Sequence, residues 1–600
     1  MMRVNNKIQP VSFRIRRVVE YGEFFVGEAP LDITATLKLY NRNILVRMAA
    51  VLSLHYGNMC VPDNEKTLFS ESSKKHMPYL NKLFKAYYNK LGLVEGKKVA
   101  ILTYRTSLEL WKRIFAIRAE EFTNEVAECD IELLLFRTIL TINEKLVNFN
   151  GRSELYKLDE LLFLNGFITN DSNSYDLQIA LQPQIYYFQQ LINFIPTNKV
   201  LSKASEKLLH GWGITSWQQY FSTITIIAYQ TDKYIKDNAN GLPIITESWV
   251  KLNQDSGLLS LSLIENLSLD EDEYIPFNDD GFPSKDLNID YRRFRSKPFV
   301  KLKDGTGYVV INNQLLCERL FNSLYFEFMP LINGSKGSCG FLDYNKDFIE
   351  KVLFQNTFLN CIPSYYYTYP AKESNSTQEL PNEPDFYARS KQGELILVEC
   401  KAIKMNGECR DDGDYVRLLD ELHEKIVLKT KNLDKTRKEH KGEPDPIGIG
   451  QLIHHIDSIE ADRFQWDTKI PNNVIYYPIL VFEDIKLVQT GILSMVNRWF
   501  VERIENEKEL DLKDVACMPV MVVSINTLYL YDKLLRRKGL TNIIDAFVEN
   551  NTVYNSSTGR YHICETADFD AYLRRKPFRK ADDAVKWIKS MRQEFSLLSQ

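Results

Sequence analysis

The sequence predicts an α/β core with a mixed sheet in the C-terminal half, preceded by an N-terminal half that is mainly α-helical. Three observations carry this. Apolar residues recur at helical spacing up to about residue 260, the signature of helices with one buried stripe. Beyond residue 340 the pattern runs helix, strand, strand, strand, helix, strand, the alternation of a sheet covered by helices. The composition is that of an ordinary globular chain, with 44% hydrophobic and 26% charged among 600 residues, enough for about two to four domains.

Residues 1–265 read as a helical region. The segment 35–56 is rich in Leu, Ile, Val and Ala at helical spacing. Thr106-Ser107-Leu108-Glu109 has the form of a capping box opening a long amphipathic stretch to about Asn148, and Ser216-Trp217-Gln218-Gln219 has the same form. Leu208-Leu209-His210-Gly211 carries a helix stop. Residues 266–290 are acidic and turn-forming and read as a linker. Residues 291–339 follow as a β-hairpin, Phe299–Leu302 against Tyr308–Ile311 across the turn at Asp304-Gly305, and a helix from about Gln314 to Phe328.

The core occupies 340–530. Its helix is 345–355, and its strands are 362–369, 385–389 and 394–402. A charged helix, 412–438, is an insertion. A helix at 448–459 and a strand from Val474 to Phe482 close the sheet, with a further strand from Met518 to Ile525. Residues 531–600 form a helical extension whose last helix is Val585 to Phe595.

One feature of this core departs from ordinary strand chemistry. Leu395 to Val398 is a continuous apolar run, yet it leads into Glu399-Cys400-Lys401. Alternation puts Glu399 and Lys401 on one face and Cys400 on the other. Charges at the end of a buried strand are costly unless paired or bound to a cation. Asp385, on the preceding strand, comes beside Glu399 if the two strands form a hairpin.

Pro384-Asp385 followed by Glu399-Cys400-Lys401 resembles the motif of the PD-(D/E)XK nuclease superfamily. The element order matches its restriction-endonuclease-like αβββαβ core. The resemblance covers about 340–530 and implies a metal-dependent endonuclease, a hydrolase of phosphodiester bonds. It implies Mg²⁺, with Mn²⁺ able to substitute, held by Asp385, Glu399 and the backbone carbonyl of Cys400. Lys401 would position a water or stabilise the transition state. Family members often add an acid from the first core helix, which points to Glu350 over Glu327. They also carry a glutamine on the helix after the sheet, matched here by Gln451. The tyrosine often found four residues further on is His455 in this chain. The resemblance favours DNA over RNA as partner and a role in restriction or anti-phage defence, with the N-terminal region as a recognition or regulatory module. A non-catalytic nucleic-acid-binding or scaffold protein on the same fold is the alternative.

Other features set boundaries. The net charge of −4 excludes a chain that is basic throughout, so a nucleic-acid surface must be local. Nine scattered cysteines form no Cys-x-x-Cys pair, which argues against zinc and disulfides and for a reducing cytoplasm. The opening Met-Met-Arg-Val-Asn-Asn-Lys lacks an apolar signal core, and no apolar run spans a bilayer, so no membrane partner is expected. A partner subunit and a homo-oligomer both stay open. His454 and His455 diverge by about 100° on a helix and do not share one ion. Lys425 to Lys441 holds seven Lys and Arg residues, and Tyr291 to Lys301 interleaves basic and aromatic residues. Each is either a phosphate contact or, respectively, a solvated helix face or a guarded strand edge. No Gly-x-x-x-x-Gly-Lys-Ser/Thr loop, Gly-x-Ser-x-Gly elbow or metalloprotease helix is present.

Overall fold

The computed structural model describes residues 18–55, 60–61, 68–92, 99–147, 156–169, 177–237, 243–254, 259–276, 291–333, 344–369, 383–405, 415–429, 445–507, 515–555 and 560–576. The chain divides into two compact units, and the division falls at Ser338 and Cys339, not in the acidic stretch 266–290.

The N-terminal unit is mainly helical, as the spacing predicts. Its longer helices include α1 (Arg42–His55), α2 (Tyr104–Phe115) and α3 (Ile131–Val147). The expected capping box at Thr106 is displaced by one turn. Thr103 caps α2 by accepting the Thr106 N–H at 3.0 Å, and Thr106 itself is inside the helix. The single long stretch to Asn148 is two helices, because short 3₁₀ turns at Ala119–Glu121 and Glu128–Asp130 interrupt it. The next helix, α4 (Leu158–Thr169), belongs through Phe167 to the other unit. The N-terminal unit resumes with α5 (Leu177–Phe194) and α6 (Trp217–Asp237). Ser216 caps α6, and Gln219 reaches back to the Thr215 N–H at 2.9 Å.

The stretch read as a linker contains a strand. β1 (Ser268–Asp270) precedes α7 (Arg292–Ser296) and pairs in parallel with β2 (Phe299–Lys301), which forms the expected hairpin with β3 (Tyr308–Val310). Leu269, Val300 and Val309 enter the same core as Leu45, Trp111 and Phe136. That shared burial places the hairpin in the N-terminal unit. Asn278 to Pro283 lies outside the described residues. The helix expected over 314–328 is two, α8 (Asn313–Arg319) and α9 (Leu324–Asn333).

The C-terminal unit opens with a π-helix (Tyr344–Phe354) that runs into α10 (Gln355–Cys361). Its sheet begins with β4 (Tyr367–Tyr369), shorter than predicted because Ile362 to Tyr366 turns after Pro363, whose carbonyl accepts the Tyr366 N–H at 3.1 Å. Then come β5 (Phe386–Arg389), β6 (Glu394–Lys401), α11 (Tyr415–Ile426), α12 (Ile449–Glu460), β7 (Ile475–Phe482), α13 (Ile492–Glu507), β8 (Met521–Ser524), α14 (Ile525–Lys538) and α15 (Leu540–Asn551). The rest of the predicted insertion helix and the helix predicted at Val585 lie outside the described residues.

The strand order is β8-β7-β6-β5-β4. β6 runs parallel to β7 and antiparallel to β5, so the sheet is mixed as expected. β6 lies at its centre and is buried from Leu395 to Cys400, which explains why its apolar residues run continuously instead of alternating. Among the described residues, no helix is long and apolar enough to cross a membrane.

The sequence gives no sign that α4 belongs to this unit. Leu162, Phe163, Leu164 and Phe167 are buried. Asp159 accepts Ser494 Oγ at 3.1 Å on α13, and Arg498 binds Asp159 at 3.3 Å and Glu160 at 2.9 Å. Gly491, at φ +102°, lets the chain approach α4. A Cβ there would lie 2.1 Å from Asp159 O and 2.9 Å from Phe163 N, and both are backbone atoms that cannot rotate away. Gly491→Ala is therefore expected to destabilise the protein by at least about 2 kcal/mol. Urea unfolding checks this, and an unchanged midpoint would show that α4 is only loosely docked.

Candidate active site

The hairpin of β5 and β6 sets the geometry. Phe386 pairs with Val398 and Tyr387 with Leu397. One further step along that register brings Asp385 opposite Glu399, on the same face. The Asp385 side chain then turns back to accept the Cys400 N–H at 2.7 Å through Oδ2. Gln355, at the start of α10, holds the other end of the residue by donating to the Asp385 carbonyl at 3.2 Å.

Glu399 is fully buried. Its Oε2 accepts Lys401 Nζ at 3.1 Å, and its Oε1 lies 3.0 Å from His455 Nε2. The Lys401 ammonium also donates to Gln451 Oε1 at 2.8 Å and lies 3.9 Å from Asp385 Oδ2. Gln451 and His455 sit four residues apart on α12, so both face the end of β6. Gln451 is fixed in turn: the same Oε1 accepts the Gly448 N–H at 2.8 Å. Gly448, at φ +50°, starts this helix where a Cβ would lie 2.5 Å from Ile426 O.

Exposure falls across the site. The side chain of Asp385 is 20% exposed, that of Lys401 13% and that of Glu399 0%. The approach from solvent is therefore at Asp385 and Lys401, and Glu399 forms the floor. Burial, reinforced by the charges of Glu399 and Glu350, raises the Asp385 carboxyl well above its ordinary value of 3.8. Burial also opposes charge on Glu399, but Lys401 and His455 outweigh it and hold that carboxyl below its ordinary value. Burial would lower Lys401, yet Glu399, Asp385 and Glu350 together raise it, so the ammonium stays charged. The buried Cys400 thiol is pushed well up, first by burial and then by Glu350 and Asp385; it is not a nucleophile.

The structure thus brings together Asp385, Glu399, Lys401 and Gln451. Glu350, on the π-helix, acts electrostatically on Asp385, Cys400 and Lys401. Glu327 lies in the other unit, where its Oε1 is 2.7 Å from Arg319 NH1. Among the described residues, no three His, Cys, Asp or Glu side chains converge as a ready-made metal cage. The donors nevertheless suit a hard cation that keeps several waters. Three carboxylates face one ammonium here, leaving negative charge to be neutralised. The Cys400 carbonyl faces the same way. Lys401 O accepts from Glu483 on the β7 side, so Cys400 presents its N–H and C=O to the Asp385 side.

His455 and Gln355 are the positions whose parts the sequence did not show. His455 is buried, with its ring set edge-on to Phe464 and Trp466. Its contact with Glu399 depends on packing across the sheet, which no local pattern encodes. The His454 and His455 ring centres are 6.1 Å apart. The Lys425 to Lys441 stretch is described only in part. Lys425 pairs with Glu421 and donates to the Lys404 carbonyl, both at 2.5 Å, while Lys431, Lys435, Arg437, Lys438 and Lys441 lie outside the described residues. No family model, curated protein or solved structure matches the chain.

Two outcomes follow for the metal-free protein. Because folding raises the Asp385 pKa, the folded state binds more protons than the unfolded one above about pH 3.8, and stability drains as pH rises through the folded value. Asp385→Asn should therefore be more stable than wild type at pH 8 in EDTA, with the gap closing towards pH 4. Denaturant melts across that range test it; an Asn variant less stable at pH 8 would show that the charged form is favoured. His455→Phe keeps an aromatic ring in the seat but removes the donor to Glu399 Oε1, and should cost about 1–3 kcal/mol. A loss near zero in urea would make that contact incidental.

Proposed function

We propose that this chain is a divalent-metal-dependent nuclease that hydrolyses phosphodiester bonds, with its chemistry in the C-terminal unit. The observation that carries the reading is the seat of Lys401. An exposed ion pair at a strand edge needs no such enclosure. This ammonium lies within 3.9 Å of Asp385, Glu399 and Gln451 at the solvent-facing end of the central strand.

Asp385, Glu399, the Cys400 carbonyl and Glu350 would hold Mg²⁺, with Mn²⁺ as substitute. A bound ion of this kind lowers the pKa of a water and neutralises charge on a phosphate. Lys401, protonated and held by Gln451, presents a fixed positive charge to the negative charge that grows on the scissile phosphate. Gln451 acts through the lysine, fixing its direction so that no reorganisation is needed during reaction. His455 does the same for Glu399. The buried carboxylate floor excludes water from one side and leaves the approach at Asp385. DNA is favoured over RNA by the resemblance to PD-(D/E)XK nucleases. On the same ground the N-terminal unit is read as a recognition or regulatory module in restriction or anti-phage defence.

Lys401→Ala should lower cleavage about 100-fold or more while keeping Mn²⁺ affinity, since an ammonium does not ligate a metal. Glu399→Gln should lose both. Cleavage of plasmid, linear and single-stranded DNA with Mg²⁺ or Mn²⁺, beside calorimetric Mn²⁺ titration, makes the comparison. Undiminished cleavage by Lys401→Ala and Asp385→Ala overturns the assignment. A wild-type chain that binds DNA in gel assays but never cuts it is the non-catalytic scaffold.

A further inference from the structure

We propose that the N-terminal unit carries a separate, metal-independent anion site, formed by one face of α2 beside Tyr291, that takes a phosphate of single-stranded nucleic acid. It uses none of the residues assigned to the nuclease and does not rest on that reading.

Arg105, Glu109, Lys112 and Arg113 stand on α2 at positions i, i+4, i+7 and i+8. At 3.6 residues per turn they fall within a sector of about 100°. Glu109 and Lys112 are buried, and Arg105 and Arg113 are half-buried. Lys112 Nζ lies 3.5 Å from Glu109 Oε1, and the Tyr291 hydroxyl donates to the same oxygen at 2.5 Å. Burial pushes the Glu109 carboxyl up, but Lys112, Arg105, the Tyr291 hydroxyl and Arg113 together hold it below its ordinary range. All three cations therefore act on one point. Arg113 Nε is buried and has no hydrogen-bond partner.

A solvated helix face keeps its cations in water and apart. Here they converge against protein, having given up hydration that an anion with several acceptor oxygens restores. Two guanidinium forks and one ammonium match a phosphate better than a single carboxylate. Tyr291 adds a second, independent observation. It is a non-glycine residue at φ +53°, a conformation that persists where surrounding structure enforces it and that gathers at ligand sites. Its half-buried ring lies nearly parallel to that of Phe294, with centroids 6.4 Å apart and planes 14° from each other. Cations beside an aromatic ring are the combination with which proteins hold single strands. The basic and aromatic run from Tyr291 to Lys301 thereby divides its tasks: Tyr291 joins this face, Arg293 pairs with Glu273, and Lys301 lies in β2.

The test is fluorescence anisotropy of the full-length chain with short labelled single-stranded DNA and RNA, in EDTA. Arg105→Gln and Arg113→Gln should each weaken binding about tenfold and flatten its log–log salt dependence by about one unit. Lys251→Ala, at an exposed lysine paired with Glu247 in the same unit, should bind like wild type. Competition by inorganic phosphate and by a nucleoside triphosphate shows whether the phosphate alone or a free nucleotide suffices; displacement by either supports the site. Circular dichroism and melting confirm that the variants fold. Wild-type binding and salt slope in both Gln variants, or no binding by wild type, overturns the proposal. A chain that binds through this face but never cleaves removes the nuclease reading and leaves this one intact. A chain that cleaves, but whose binding ignores both substitutions, does the reverse.

Discussion

The Lys401 ammonium is what allows acids to stand at the end of a buried strand. Taking a carboxylate out of water costs several kcal/mol, and a second acid beside it adds repulsion. Glu399 bears this because Lys401 and His455 each meet one of its oxygens. Asp385, with a backbone N–H and a more distant lysine, bears it less well and resists ionisation. The lysine depends on the acids in turn, since burial alone would strip its proton. Removing either side leaves uncompensated charge in the interior. The β5–β6 register, Gly448 at the start of α12 and Gln355 against Asp385 all serve this mutual dependence.

That dependence also explains how much was legible. A charged tripeptide after an apolar run conflicts with strand chemistry, and conflict of this kind marks sites. The hairpin followed because the turn between β5 and β6 is short enough to dictate the register. Gln451 could be placed because helix α12 follows the sheet in order. Glu350 and Glu327 were close rivals by spacing, and only the fold separates them into different units. What stayed hidden was long-range. His455 is one of two adjacent histidines, and nothing local says which will face Glu399. The strand at Ser268–Asp270 hid inside an acidic segment because three residues are too few to show a period. Thr103 took the cap expected one turn later because Thr106 instead donates to Asn143 at 2.6 Å inside the core.

The two units solve opposite electrostatic problems in a chain of net charge −4. At the end of β6, acids outnumber cations, so a polyanion has no direct reason to approach. On α2, cations outnumber acids around Glu109. Charge summed over the chain hides both, because attraction at this range is set by the few groups within a Debye length. Sequence composition alone therefore argues against nucleic-acid contact, while local geometry supplies places for it.

Helix α4 has a consequence for biosynthesis. It leaves the ribosome roughly 320 residues before its partner α13, from Thr169 to Ile492. At roughly 5–20 residues per second, Leu162, Phe163, Leu164 and Phe167 wait about 16–65 s for the surface that buries them. During that interval the nascent chain carries a sticky helix tethered to a unit that has already had time to fold. Vectorial synthesis thus makes the C-terminal unit the last to be completed, and it leaves the chain most open to chaperones, or to pairing with a neighbouring nascent chain, before its chemistry is assembled.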